Sequence, residues 1–350
     1  MRLSVVEPFA DSVAWLEEQL GLRLPKRALE QLSQEAAQDV DAFYAQEAAP
    51  PATAGECVVV SLDGKGVPMV KAALAAGGQD DKDHKSDESD ESDESKANSR
   101  LKRGEKAQKK KMALVSAIYT VQCQDRSVSQ ADKAGATRLP DIPAQHKKLH
   151  AELADKPGLP AYLRARAQER GAGQVPTAFI VDGQPHLWHL KQEICPAAVE
   201  IVDFAHVREY LWKAVYSFLP EGSALPEGSA LPKGSAQAAA WVREQEARLL
   251  CGQVGWVIGG LRLHLTKGGI RKAPHIQTVQ QVISYLEHNR ARMRYDRYLQ
   301  AGFPIASGVV ESACKQLVVM RMEGSGMRWS VAGAQAMLDL RAIYTARGHI

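Results

Sequence analysis

The apolar positions along the chain change period, and the changes divide it into regions. In "DSVAWLEEQLGLRL", Val13, Leu16 and Leu20 recur at helical spacing behind an Asp or Ser cap. "PKRALEQLSQEAAQDVDAFYAQ" opens on Pro25, a residue suited to a first helical turn, so residues 1–50 are predicted helical. The prolines of "EAAPPATAG" end that pattern. From Cys57 the apolar residues run together or alternate, which predicts strands at 56–62, 66–71 and 111–121. Residues 143–171 read as helical, broken near "KPGLP". "PTAFIVDG" (176–183) and "AVEIVDFAH" (198–206) read as short strands, each running into an aspartate. Helical spacing then dominates, over 238–263, 275–299, "VVESACKQLVVMRM" and 331–346, with "GFPIASG" as a loop.

Two polar segments interrupt this order. Residues 77–110 hold nine acids between Asp80 and Glu94, followed by a run of Lys and Arg; such a tract buries too little apolar surface to fold and is expected to be a disordered loop. "LPEGSALPEGSALPKGSA" (219–236) is a hexapeptide in three near-identical copies, too few for a solenoid, and reads as a linker. The remaining order is three strands, a helix, a strand, a helical turn, a strand and then many helices. The first three strands suit an antiparallel meander, and the later ones need crossovers. The expectation is an α/β protein with a mixed sheet flanked by helices, as in the ribonuclease-H-like fold. Its parts would be an N-terminal helical segment (1–52), a first core segment (53–206), a helical insertion (207–303) and C-terminal helices (304–350).

Composition changes this picture little. Hydrophobic residues are 45% and charged residues 24% of the 350 residues, which is ordinary for a soluble protein, and a net charge of +3 argues for no particular partner. The five cysteines are far apart and form no CxxC pair, a pattern that suits reduced thiols. No apolar run approaches the ~20 residues that span a bilayer, and "MRLSVVEPFADS" lacks a signal-peptide core. A cytoplasmic protein with no membrane partner is expected.

The candidate chemistry lies in acids at strand ends. Asp63, in "VVVSLDGKG", has a plain reading as an Asp-Gly hairpin turn and a second reading as a metal ligand displayed at the end of a strand. Asp182 repeats the arrangement in "FIVDGQ". Glu311, in "PIASGVVESACKQ", suits the third turn position of a helix capped by Gly308, or a third ligand. Paired divalent ions about 3.5–4 Å apart need carboxylates from separate elements, and hard Mg²⁺ prefers oxygen.

With these residues in view, the chain resembles the DDE transposases of bacterial insertion sequences, in the ISKra-type group related to Mutator-like elements. The resemblance rests on "SLDGKGVPMVK", "GEKAQKKKMALVSAIYTV", "FIVDGQPHLWHLKQE", "VEIVDFAHVREYLW", "YLEHNRARMRYDRYLQAGFPIASGVVESACKQLVVMRMEGSGMRWS" and "AGAQAMLDLRA", which cover most of residues 55–345. It implies that Asp63 and Asp182 are the catalytic aspartates and Glu311 the glutamate, together holding two Mg²⁺ ions, with Mn²⁺ as a substitute. Asp203 and His206 would match the family's C/D-x-x-H signature as supports, Asp203 remaining a rival for second aspartate. The implied activity is Mg²⁺-dependent cleavage of DNA at terminal inverted repeats and strand transfer into target DNA, by a homo-oligomer on DNA. Family members carry a longer N-terminal region, so 1–52 would be a shortened DNA-binding segment. A nuclease without joining activity and a transposase-derived DNA-binding protein without turnover remain alternatives.

The cationic residues gain a role in that setting. Lys109, Lys110 and Lys111 enter a predicted strand as a basic run. Arg290, Arg292, Arg294 and Arg297 would spread around a helix with Tyr295 and Tyr298 interleaved, and Lys315, Arg321, Arg328 and Trp329 follow Glu311. Arginine suits phosphate and aromatic rings can stack on bases, so these are expected DNA contacts, against the plainer reading of a solvated face with Trp329 in the core.

Overall fold

The structure is a computed structural model that describes residues 2–46, 50–70, 110–127, 142–154, 158–219, 236–267, 270 and 272–346. The charged insert expected at 77–110 lies outside these residues except for Lys110, and the repeat expected at 219–236 lies outside them except for its end residues. A five-stranded sheet runs through the centre in the order β3–β2–β1–β4–β5. β1 (Glu56–Pro68), β2 (Lys110–Gln122) and β3 (Gln145–Leu153) are antiparallel neighbours. β4 (Thr177–Val181) lies parallel to β1 on its other side, and β5 (Val199–Val202) parallel to β4. Cys57, Val58, Val59 and Val60 are all buried, although alternate residues face opposite ways, so both faces of the sheet are covered. This is an α/β architecture with a mixed sheet between helices, and it is compatible with the ribonuclease-H-like order of strands.

Three sequence expectations change. The predicted hairpin at Asp63-Gly64 does not form: β1 is one strand, paired with β2 along its whole length, and Asp63 stands opposite Val115. Gly64 and Gly66 serve packing rather than turning, because a Cβ on either would meet Met112 Cε at 3.0 Å or Lys110 Cδ at 2.9 Å. The expected strands 56–62 and 66–71 fall largely in the one strand β1, and the meander is completed by β3, in a stretch predicted helical. Leu149, Ala151 and Leu153 alternate into the core, while the helix-favouring Lys, His and Glu between them sit on an edge strand where pairing outweighs propensity.

The third change concerns helices. Four short ones open the chain, α1 (Arg2–Val6), α2 (Phe9–Leu20), α3 (Lys26–Ala37) and α4 (Val40–Gln46). After β3 come α5 (Leu159–Glu169), α6 (Pro185–Ile194), which follows β4, and α7 (Phe204–Val215), which follows β5. The expected helix at 238–263 is two, α8 (Ala236–Leu250) and α9 (Val254–Thr266), parted at Gly252 with φ +73°. The expected helix at 275–299 is also two, α10 (Ala273–His288) and α11 (Tyr295–Gln300), with a 3₁₀ turn over Arg290–Arg292 between them. That break lets Tyr295 and Tyr298 donate to Val202 O (2.9 Å) and Glu200 O (3.0 Å), satisfying the outer carbonyls of edge strand β5.

The C-terminal unit holds the sheet from one side. α12 (Gly308–Cys314) packs across β1 and β2, passes through a π-helical turn (Lys315–Val319) and ends in Met320–Met322. α13 (Val331–Ala346) lies on β3 and also against α1, α3 and α4. Two buried arginines knit these parts together. Arg341 Nε donates to Gln316 O inside the π turn at 2.9 Å and its Nη1 to Val5 O at 2.6 Å, while Arg321 Nη2 reaches Ser4 O at 3.0 Å. The N-terminal helices are thus docked on the same helical layer that carries Glu311. No helix among the described residues is long and apolar enough to cross a membrane.

Candidate active site

Strand register brings the acids to one edge. The last bonded pairs are Ser61 with Ile180 and Val181 with Val202. Carrying the first pairing two residues on sets Asp63 beside Asp182, and carrying the second one residue on sets Asp182 beside Asp203. Neighbouring strands are about 4.8 Å apart, and the register extended in this way past the ends of β4 and β5 brings the backbone positions of the three aspartates level. They come level where β4 ends, which puts Asp63 at the carboxyl edge of its parallel neighbours although it lies within its own strand.

The three differ in what their side chains do. Asp203 is fully buried and caps α7: Oδ1 accepts from Ala205 N at 2.8 Å. Its Oδ2 accepts from Ser307 N at 3.1 Å and from the Ser307 hydroxyl. Ser307 rather than Gly308 is the cap residue of α12, so Glu311 falls one position later in the helix than expected. One buried carboxylate therefore ties the start of α7 to the start of the Glu311 helix. Burial pushes its carboxyl above the usual range, with the Ser307 hydrogen bond opposing that shift.

Asp182 is half-buried and folds back on the next loop residue but one. Its Oδ1 accepts from Gln184 N at 2.9 Å and its Oδ2 from Gln184 Nε2 at 2.7 Å. Its backbone carbonyl accepts from Tyr285 Oη at 2.7 Å. Gly183 adopts φ +95°, and a Cβ there would stand 3.0 Å from Asn289 Nδ2 and 3.1 Å from Tyr285 Cε2. Helix α10 therefore presses directly on the Asp182 turn.

Asp63 and Glu311 are linked by the packing of α12 on β1. Cys314, one turn beyond Glu311, is buried; that burial, then the charge of Asp63, hold the thiol far above its usual range. Glu311 itself is exposed at the residue level, yet its carboxyl is raised. Desolvation is the largest cause, followed by the charge of Asp203, with Glu209 and Asp63 adding to it and His206 opposing. The field at Glu311 therefore records Asp63, Asp203, His206 and Glu209 as near neighbours. His206, in the first turn of α7, lies 3.7 Å from Glu209.

Among the described residues, no group of three or more His, Cys, Asp or Glu side chains converges closely enough to hold a metal ion. The donor set nonetheless has the chemistry of a hard cation site. Asp63, Asp182 and Glu311 are oxygen donors and none is fully buried, whereas Asp203 is buried with both its oxygens hydrogen-bonded. Each Asp182 oxygen accepts one hydrogen bond from Gln184 and keeps a lone pair for a cation.

The cationic residues separate. Arg321 and Trp329 are core groups, which corrects their expected role: Trp329 Nε1 donates to Met322 O at 3.0 Å, and the Arg321 guanidinium lies over Phe9 and Trp329. Burial, with Arg341 beside it, draws Arg321 down to about 10. Arg292 is bound to Glu200 at 2.5 Å and stacked over Trp188, and Lys110 is paired with Glu323 at 2.6 Å. Tyr295 and Tyr298 hold β5 instead of facing solvent. Arg290, Arg297, Lys315 and Arg328 are exposed, Arg294 and Lys111 half-buried, and Lys109 lies outside the described residues.

Sequence reasoning missed Lys65, Glu209, Tyr210, Lys213, Tyr285 and Cys314. Lys65 follows Asp63 by two and so shares its face of β1, where Cys314 senses its charge. His206, Glu209, Tyr210 and Lys213 stand at helical spacing in "AHVREYLWK", a signal the sequence did contain. No family model matches the chain, and no curated protein matches it in sequence.

Proposed function

We propose that this protein is a DDE-type transposase on a ribonuclease-H-like core, which cuts DNA at the ends of an insertion sequence and joins the freed ends to target DNA. What supports this reading is that the β1–β4 register, continued two residues past its last bonded pair, brings Asp63 level with Asp182, and that the charges of Asp203 and Asp63 both act on Glu311. In this reading Asp63, Asp182 and Glu311 hold two Mg²⁺ ions, for which Mn²⁺ can substitute. Such ions sharpen a water or a 3′-hydroxyl for attack on a phosphodiester and stabilise the departing oxygen.

The chain's own groups supply position. Asp203 fixes where α7 and α12 begin, and so where His206 and Glu311 stand. Tyr285 and Gly183 fix the Asp182 turn. Carboxylates are required at the three ligand positions because neutral amides bind the ions poorly.

The test is a comparison of purified Asp63→Asn, Asp182→Asn, Glu311→Gln and Asp203→Asn for Mg²⁺-dependent cleavage and strand transfer on DNA bearing the element's ends. The first three are expected to lose both reactions while still binding DNA, and Asp203→Asn to keep part of the activity. Cleavage with no joining would assign a nuclease. Full activity in Asp182→Asn would overturn the ligand set.

A further inference from the structure

Beside Asp182 stands a column of three side chains that the metal chemistry does not use. Tyr285, whose hydroxyl donates to the Asp182 carbonyl, stacks on Tyr210 with ring centroids 3.8 Å apart and planes within 14°. Over the ring of Tyr210 sits the Lys213 ammonium, 4.5 Å from its centroid. Tyr210 and Lys213 share one face of α7 with His206 and Glu209.

The Lys213 ammonium rests on an aromatic ring and not on a carboxylate. Glu209 stands four residues before Lys213, the spacing and order that favour a helical ion pair, yet its carboxylate lies with His206 at 3.7 Å. Among the described residues no acid lies within ion-pair distance of the Lys213 ammonium, which rests on an aromatic face while remaining exposed. The Tyr210 phenol is raised by burial and then by the charges of Asp182 and Glu209, which places the column within the field of the acidic site. An ammonium held on a rigid aromatic stack, near carboxylates but bonded to none, suits an anion that approaches those carboxylates from solvent.

We infer that Lys213, seated on Tyr210, is a phosphate-binding residue that grips the backbone of the DNA strand entering the site at Asp182. The inference rests on the proposed function, since the anion it names is a DNA phosphodiester. Tyr210 acts as a positioning residue, because its ring holds the ammonium where the strand passes. The contact would be made to the backbone and carry no sequence information.

The experiment uses the full chain carrying Asp63→Asn, which is not expected to cut, and measures its affinity for a short duplex of random sequence over a range of KCl concentrations. Each phosphate neutralised contributes about 0.9 to the slope of log affinity against log salt. Lys213→Met is expected to lower that slope by about 0.9 and Lys213→Arg to restore it. Tyr210→Phe should leave it unchanged, and Tyr210→Leu should lower affinity in the same sense as Lys213→Met. A slope that Lys213→Met leaves unchanged overturns the phosphate contact alone. A parent that binds no duplex at any salt overturns the proposed function and this inference with it.

Discussion

Asp203 shows how much one side chain can fix in this protein. Three donors converge on its two oxygens from two helix starts, and the two from Ser307 are buried with it. Asp203→Ala orphans all three and is expected to cost on the order of 3 kcal/mol, read from the urea midpoint of unfolding. The pH dependence has a definite sign. Because burial holds the carboxyl above its unfolded value, the native chain binds this proton more tightly than the unfolded one. The stability it contributes is full below about pH 3.9 and drains away as the pH climbs through the raised folded value. The stability of wild type relative to Asp203→Asn should therefore fall as pH rises, and a constant difference would mean the group is not desolvated. At this scale the sequence was legible for the acids and misleading for the cations. Asp63, Asp182 and Asp203 were marked by the apolar runs they terminate. Arg321 and Trp329 were read as DNA contacts, because type and proximity to Glu311 say nothing about direction; both point into a core completed by Phe9, more than three hundred residues away in the chain.

The elements were legible wherever burial matched periodicity. β4 and β5 appear where consecutive apolar residues placed them, and α13 spans the residues its spacing predicted. β3 was hidden because an edge strand needs only one apolar face, and its other residues are good helix formers. The 275–299 pattern was read as one helix because tertiary demands broke it at Asn289 without any proline or glycine to mark the site. That side chain is buried and donates to Tyr285 O at 3.1 Å, directly under the Asp182 turn. Gly183 is the counterpart on the strand side. Gly183→Ala must hold a Cβ at positive φ and push into Asn289 and Tyr285, and is expected to cost about 1–3 kcal/mol by thermal unfolding. The Mg²⁺-dependent cleavage proposed above should fall further than stability alone explains, since Tyr285 loses its grip on the Asp182 carbonyl. Equal losses in both would show that α10 supports only the fold.

Across the whole molecule, nothing in the residue pattern signals that the N-terminal helices dock on the helical layer that carries Glu311. Their tie is made of backbone carbonyls at Ser4 and Val5, which carry no residue-type signature, and of arginines that sequence reasoning assigns to the surface. The π turn at Lys315–Val319 lies at the centre of this assembly, between Glu311 and Arg321. A π turn is a helix with one residue too many, and each residue of an α-helix advances the screw by about 100°. Deleting Gln316 would let the segment relax to ordinary winding and put everything beyond it out of phase with everything before it. Either Glu311 keeps its place and Arg321 swings off Ser4, or the reverse. A shortened chain is therefore expected to lose either its melting temperature or its Mg²⁺ chemistry, as thermal unfolding and a cleavage assay would show. The extra residue works as a gear tooth: it lets one continuous helix mesh with two partners whose spacing does not share a common period.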